Sequence, residues 1–297
     1  MDYKKLAAAA AVGTGVSYLV YRAVSEDMMK RIFERRDHEI EIDQKYYDWI
    51  SSSTAVQVKV NSFDGLKLNA YNIHNHDDNR YIIMVHGKGS NRIKLYPRAY
   101  EFDQLGYNIL LIDQRSAGDS EGEHYSYGVK ESQDLQIWIN YLLSKYPDAK
   151  IALYGLSMGA ATIMMATSYG LPENVKCLIE DSGFASLEEI LAYSIKKEYK
   201  ISFTHPVLKM LENKMSERYG MKLSDASPKT CLENNEIPIL FVHGEDDEVI
   251  PFEHAKILYN HNKGIKKCYP IKVSKHSCAN EDPHYFENLN AFLKEYL

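Results

Sequence analysis

Apolar and polar positions change their period several times along this chain. Residues 56–60 (VQVKV) and 66–71 (LKLNAY) alternate with period two around Asp64-Gly65, which predicts an antiparallel hairpin. Beyond it come short apolar runs of the kind that a sheet buries on both faces, at 81–85, 107–112, 151–154, 175–179, 237–242 and 268–273. Stretches with helical spacing separate most of them, at about 92–105, 129–145, 158–169, 252–262 and 283–297. Strand and helix in steady alternation predict an α/β fold, with an eight-stranded, mostly parallel sheet and helices on both faces.

Two segments interrupt this rhythm. Between Asp181 and Ile237 about 55 residues carry no strand-like run. Ser186 and Glu189 form a capping box there, followed by Leu187, Ile190, Leu191 and Ile195 at helical spacing. Pro206 opens a second helical stretch, so a small helical lid is expected over about 184–230. The other segment is the amino terminus, where Leu6–Tyr21 carries no charge and is flanked by Lys4, Lys5 and Arg22. As a helix it would span about 24 Å, short of a bilayer core of about 30 Å, although snorkelling Lys and Arg recover part of the deficit. We expect 1–30 to be a membrane anchor of the signal-anchor kind, followed by a helical linker over 31–54 and one folded domain over 55–297. The alternatives are a secretory signal, for which no A-x-A cleavage site follows, and an Ala-rich helix packed on the domain. The side of the membrane stays open. Arg22, Lys30, Arg31, Arg35 and Arg36 outnumber Lys4 and Lys5, which would keep the domain cytoplasmic, whereas a signal anchor would export it.

Composition narrows the function. With 297 residues, 45% of them apolar, there is ample material for a buried core. The balance of 35 basic against 41 acidic residues offers no surplus for a phosphate backbone, so no nucleic-acid partner is expected. The 23 tyrosines are dispersed and make no stacking platform. Cys177, Cys231, Cys268 and Cys278 contain no C-x-x-C pair, although a Cys268–Cys278 bridge is compatible with their spacing. His74, His76, Asp77 and Asp78 cluster in what reads as a solvated turn. No zinc, phosphate-loop or dinucleotide motif occurs, so neither metal nor cofactor is expected.

The decisive segment is Gly155-Leu156-Ser157-Met158-Gly159, set between the strand-like IALY and a small-residue helix. A serine on a tight strand-to-helix turn needs glycine on either side, and the turn lifts its hydroxyl above the sheet. Such a nucleophile needs a base, and the base an orienting acid. HGEDDEVIP (243–251) and Ser274-Lys275-His276-Ser277 follow the last two strand-like runs, where α/β sheets place ligands. His276 is the best base, since His254, His261 and His284 fall in or near helical stretches and read as solvent-facing.

These marks, with HGKGSNR after the third run and DQRSAGDSEG after the fourth, resemble the α/β-hydrolase superfamily over about residues 55–297. The resemblance implies an α/β-hydrolase fold and a serine hydrolase of the membrane-anchored, lid-bearing esterase or lipase-like kind. It implies Ser157, Asp247 and His276 as catalytic residues, with Asp247 preferred over Asp246 from the H-G-x-x-D-x-x-V-P pattern. Asp181 is a third candidate acid, because some relatives take theirs from that strand. The backbone N–H groups of Lys88 and Met158 would form the oxyanion hole, the Lys88 side chain pointing to solvent. Asp113 and Arg115 would shape the loop beside the site, Ser116 standing where glycine is more usual. The expected partners are a small-molecule ester or acyl substrate and, through the leader, a membrane. Leu191, Tyr199, Phe203 and Met210 of the lid suggest an apolar acyl pocket. Peptidase or amidase activity and a silent binding protein at the membrane are the competing readings.

Overall fold

The computed structural model describes residues 14–35 and 39–297. Its strands are β1 (Val56–Asn61), β2 (Lys67–Ile73), β3 (Arg80–Val85), β4 (Asn108–Ile112), β5 (Lys150–Leu156), β6 (Val175–Asp181), β7 (Ile239–Gly244) and β8 (Lys266–Ile271). The longer helices are α1 (Thr14–Phe33), α2 (Gln44–Ser52), α3 (Tyr96–Gln104), α4 (Val129–Lys145), α5 (Met158–Ala166), α6 (Leu187–Tyr199), α7 (His205–Tyr219), α8 (Glu253–His261) and α9 (Tyr285–Tyr296). The described residues divide into two compact units, one from 35 to 185 with 228–297, the other from 14 to 34 with 186–227.

The larger unit is built on one eight-stranded sheet in the order β1-β2-β4-β3-β5-β6-β7-β8. β2 runs antiparallel to β1 and β4, and every other neighbouring pair is parallel. The inner strands are largely apolar because both faces are covered, and alternate residues feed two cores. Ile82, Met84, Ile109 and Leu111 meet Ala99 and Phe102 of α3 and Leu289 and Phe292 of α9 on one face. Ile83, Val85, Leu110 and Leu153 meet Trp138 and Leu142 of α4 and Ile163 of α5 on the other. This is the eight-stranded α/β fold that the sequence pattern predicts.

The strands overrun their apolar stretches at the functional end. Gly155 pairs with Glu180 and Leu156 with Asp181, so the ladder carries polar residues to the sheet's carboxyl edge. The stretch expected as a linker holds α2, whose Trp49 is buried and donates its indole N–H to Asp103 at 2.9 Å. In the histidine-rich turn, His74 stacks on Tyr81 and His76 Nε2 lies 3.0 Å from Asp103. All four cysteines are free, so the Cys268–Cys278 bridge does not form.

The smaller unit holds α1, α6 and α7. Ser186 caps α6 by accepting from the Glu189 amide at 3.3 Å, as the capping box predicts. Tyr199, expected in an acyl pocket, instead accepts from Arg31 of α1 at 3.0 Å and donates to Asp27. Arg31 also pairs with Glu198 at 2.7 Å, and Glu26 pairs with Lys214 of α7.

The expected membrane anchor gains no support among the described residues. Residues 6–13 of the leader lie outside the described residues, and among the described ones no helix is long and apolar enough to cross a membrane. Helix α1 runs through the charged positions Arg22, Glu26, Asp27, Lys30 and Arg31. Its apolar residues Val20, Val24, Met28, Met29, Ile32 and Phe33 are buried, which suits the packed-helix alternative. The physical reason is that a charge-bearing helix gains more by burying one stripe in protein than by entering hydrocarbon.

Phe33 is fully buried, its ring centroid 5.3 Å from that of Tyr219. Phe33→Ala should therefore destabilise the protein by roughly 3–5 kcal/mol, as large-to-small changes at packed aromatics do. Urea unfolding measures it, and a midpoint equal to the wild type would contradict packing of α1.

Candidate active site

The turn from β5 into α5 is set by sterics. A Cβ on Gly159 would lie 2.1 Å from the Val85 carbonyl oxygen, and one on Gly155 2.4 Å from that of Gly159. Neither position accepts a side chain. Ser157 between them takes φ 56° and ψ −115°, a region that non-glycine residues rarely occupy. Its amide donates to the Asp181 carbonyl at 2.8 Å, which ties the strained turn to β6.

The structure brings the three sequence-predicted side chains together. His276 Nδ1 donates to Asp247 Oδ2 at 2.7 Å, and Nε2 accepts from the Ser157 hydroxyl at 2.9 Å. Because a carboxylate only accepts, the bond to Asp247 fixes the tautomer that leaves Nε2 free to take a proton. Asp247 Oδ1 accepts from the amides of Val249 and Ile250, both at 2.8 Å. Burial alone would raise the Asp247 carboxyl. Hydrogen bonds from His243 and His276, the His276 charge and the Ile250 amide outweigh it and hold the group well below the usual carboxylate range. Asp246, the neighbour in the sequence, is exposed.

The loop after β3 forms the opposite wall. A Cβ on Gly87 would lie 3.2 Å from Ser157 Cβ, so the chain at Gly87-Lys88 passes directly beside the hydroxyl. His86 holds this loop: its Nδ1 donates to the Gly87 carbonyl at 2.7 Å and its Nε2 accepts from the Gln114 amide at 3.0 Å. Burial lowers its pKa and keeps the ring neutral, as those two bonds require. The Lys88 side chain does not point to open solvent as expected. Its ammonium lies 5.7 Å from the Tyr127 ring centroid and 6.0 Å from that of Tyr125, a cation–π position. Met158, at the start of α5, packs on Tyr125 and Ala117. A cleft of about 320 Å³ opens beside Ser157 and His276, walled by Lys88, Ser90, Leu156 and, from the chain before α2, Ile40.

The segment read as shaping this loop does so. Arg115 clasps Asp134 at 2.7 Å and Asp64 at 3.0 Å, and Asp113 accepts from the Arg92 amide at 2.8 Å. Ser116 adopts φ 63°, the conformation for which glycine is usual.

Comparisons with known proteins bear on the fold. A family model described as serine aminopeptidase, S33, matches residues 76–219, a little under half of the chain. An uncharacterized protein of Bacillus subtilis, YqkD, is 27% identical over 96% of this chain and 90% of its own length. A lysophosphatidylserine lipase of zebrafish, Danio rerio, is 25% identical over 60% of this chain, which spans 46% of that protein. An esterase of Pyrococcus furiosus superposes with a TM-score of 0.69 at 21% identity, covering 88% of this chain and 98% of the other. The chain has the α/β-hydrolase fold.

Several residues around this site have partners that the sequence reading did not foresee. Asp181, the third candidate acid, accepts from the hydroxyls of Tyr154 at 2.8 Å and Tyr285 at 2.7 Å and does not meet His276. His254, expected at the surface, is buried and accepts from the Ala185 amide at 3.1 Å. His243 lies behind the acid, with Nε2 donating to the Ile250 carbonyl at 2.8 Å and 3.4 Å from Asp247 Oδ2. Burial works against a charge on His243, but its bond to Asp247 and the nearby Glu180 raise its pKa. Glu180 is fully buried; its Oε1 accepts from the Gly183 amide while its Oε2 has no hydrogen-bond partner. The one signal for this pair in the sequence is a charged residue directly after an apolar run.

Burial pushes the Glu180 carboxyl up from 4.5 to about 7, against the pull of His243 and the Gly183 amide. Between those pH values the folded protein holds a proton that the unfolded chain has released, so Glu180 lowers stability as pH rises. Glu180→Gln removes this dependence. Its melting temperature relative to the wild type should climb from about pH 5 to about pH 8. Parallel melting curves across that range would contradict a proton on Glu180.

Proposed function

We propose that this α/β-hydrolase cleaves carboxylic esters of small molecules through an acyl-enzyme intermediate. The observation that carries the reading is the continuous chain of hydrogen bonds from Ser157 through His276 to Asp247. Ser157 Oγ attacks the ester carbonyl while its proton moves to His276 Nε2. The tetrahedral oxyanion then faces the amides of Lys88 and Met158, at the amino end of α5 where the helix dipole favours negative charge. Collapse expels the alcohol, which takes the proton from His276. A water attacks the acyl-enzyme by the same route and returns free Ser157 and the carboxylic acid. Throughout, Asp247 holds the imidazole in the productive tautomer and stabilises its charged form.

The esterase and lipase among the similar proteins support ester substrates. The match to a serine aminopeptidase family supports a second reading, cleavage of an amide or peptide bond by the same residues. An amine is a poorer leaving group than an alkoxide and needs full protonation as it departs, so the ester reaction asks less of His276.

A fluorophosphonate probe tests the shared chemistry, with the expected outcome that wild-type protein is labelled and Ser157→Ala is not. Absence of labelling of folded wild type at every pH would leave a binding protein as the reading. A panel of p-nitrophenyl esters of rising chain length, run beside aminopeptidase substrates, separates ester from amide preference. On the best ester, Ser157→Ala and His276→Ala should each lose about four to six orders of magnitude in kcat, and the double variant little more. Asp247→Asn should cost several orders by misorienting His276, whereas Asp246→Asn should leave the rate within about two-fold.

A further inference from the structure

Arg98 is a buried cation on α3 that the chemistry above does not use. Burying a guanidinium is costly unless its donors are spent on specific acceptors. Its Nη2 donates at 2.9 Å to the carbonyl of Ser277, the residue that follows His276. Its Nε faces Asp181 Oδ2 at 3.8 Å, and its guanidinium carbon lies 6.0 Å from the Tyr285 ring centroid. The Asp181 carboxylate is itself pinned by Tyr154, Tyr285 and Ser182, whose hydroxyls donate to it at 2.8, 2.7 and 2.9 Å. Its main-chain carbonyl meanwhile receives the Ser157 amide. One residue therefore connects the backbone of Ser157 to the support of the His276 loop.

That loop needs support. His276 and Ser277 occupy the centre of a turn closed by the Cys278 amide on the Lys275 carbonyl at 3.2 Å. Ser277 has φ 60° at the third position of the turn, where a positive φ is normally supplied by glycine. A non-glycine residue stays in that region only when its surroundings over-determine it. The Arg98 hydrogen bond to the Ser277 carbonyl is such a restraint, applied one residue from the imidazole.

We propose that Arg98 is a positioning residue: seated on the Asp181–Tyr154–Tyr285 cluster, it fixes the turn that presents His276 to both Ser157 and Asp247. The proposal rests on the hydrolytic reading of Ser157 and His276, and its test separates the two. Arg98→Met alone leaves Asp181 buried without its cation, so the informative variant is Arg98→Met/Asp181→Asn, which removes both charges and keeps the volumes. With a soluble ester, the double variant should melt near the wild type, lose about 10- to 100-fold in kcat through misplacement of the imidazole, and keep KM within about two-fold. Recovery of wild-type kcat in the double variant would overturn the proposal and reduce Arg98 to the counter-charge of Asp181. Arg98→Lys keeps the charge but shortens the donor, and should resemble the double variant in kcat rather than the wild type. The low-field proton resonance of His276 Nδ1–H, bonded to Asp247, is read without substrate and should weaken or vanish in the double variant; its persistence unchanged would also overturn the proposal. A wild type that hydrolyses no ester yet shows this resonance would sink the ester reading alone, and the resonance would still decide on Arg98.

Discussion

Helix α5 approaches the ends of β3 and β5 so closely that only glycine fits at its first turn, with the Val85 carbonyl standing where a Gly159 side chain would be. Much of the site follows from that contact. It forces Ser157 into a strained backbone conformation and raises its hydroxyl off the sheet. It sets the start of α5 next to the loop after β3, with Gly87 packed against Ser157. It also requires α5 to be buried throughout, and every residue from Met158 to Ala166 is. The strain is sustained by this packing and by the Ser157 amide on the Asp181 carbonyl, since a local conformation of this kind relaxes wherever its surroundings allow.

Around this turn the protein keeps ionisable groups out of water and gives most of them partners. Asp247 accepts from two amides and an imidazole, with a second imidazole behind it. Asp181 accepts from three hydroxyls and faces Arg98. In a medium of low polarity each of these bonds is stronger than in water, and each missing partner is correspondingly costly. Such networks fix geometry better than apolar packing does, because a shifted polar atom loses its partner outright. In the proposed reaction His276 takes a proton from Ser157 and returns it to the leaving group, which depends on that rigidity. Some polar atoms stay without a hydrogen-bond partner, among them Arg98 Nε, His243 Nδ1 and Glu180 Oε2, and burial pushes the Glu180 carboxyl up to about 7.

The smaller unit follows different rules. α1 joins α6 and α7 through ion pairs and a buried apolar stripe, and Tyr199 spends its hydroxyl on Arg31 and Asp27. From Thr14 onward the described part of the leader continues into a charge-bearing helix that buries one apolar stripe. The uncharged residues and the charged ones share one helix from Thr14 onward, and a reading that ends at Arg22 divides it.

The sequence by itself determined the fold class, because a parallel sheet covered on both faces demands apolar runs separated by helices, and that pattern is local. It also located Ser157, Asp247 and His276, since each stands at the end of a strand in a short segment with its own steric or hydrogen-bonding signature: paired glycines, an H-G-x-x-D run, a polar loop after the last strand. The Lys88 side chain was misjudged, because its partners Tyr125 and Tyr127 lie far along the chain. Only the tertiary structure decided the supports. Arg98 and Ser277 are 179 residues apart, and nothing near Arg98 in sequence shows that its helix lies under the His276 turn. The same holds for Asp181, where a one-residue step along β6 sends Glu180 and Asp181 to opposite faces of the sheet. Which face holds tyrosines and which holds a histidine is set by strand order and register, and these are fixed only when the whole sheet assembles.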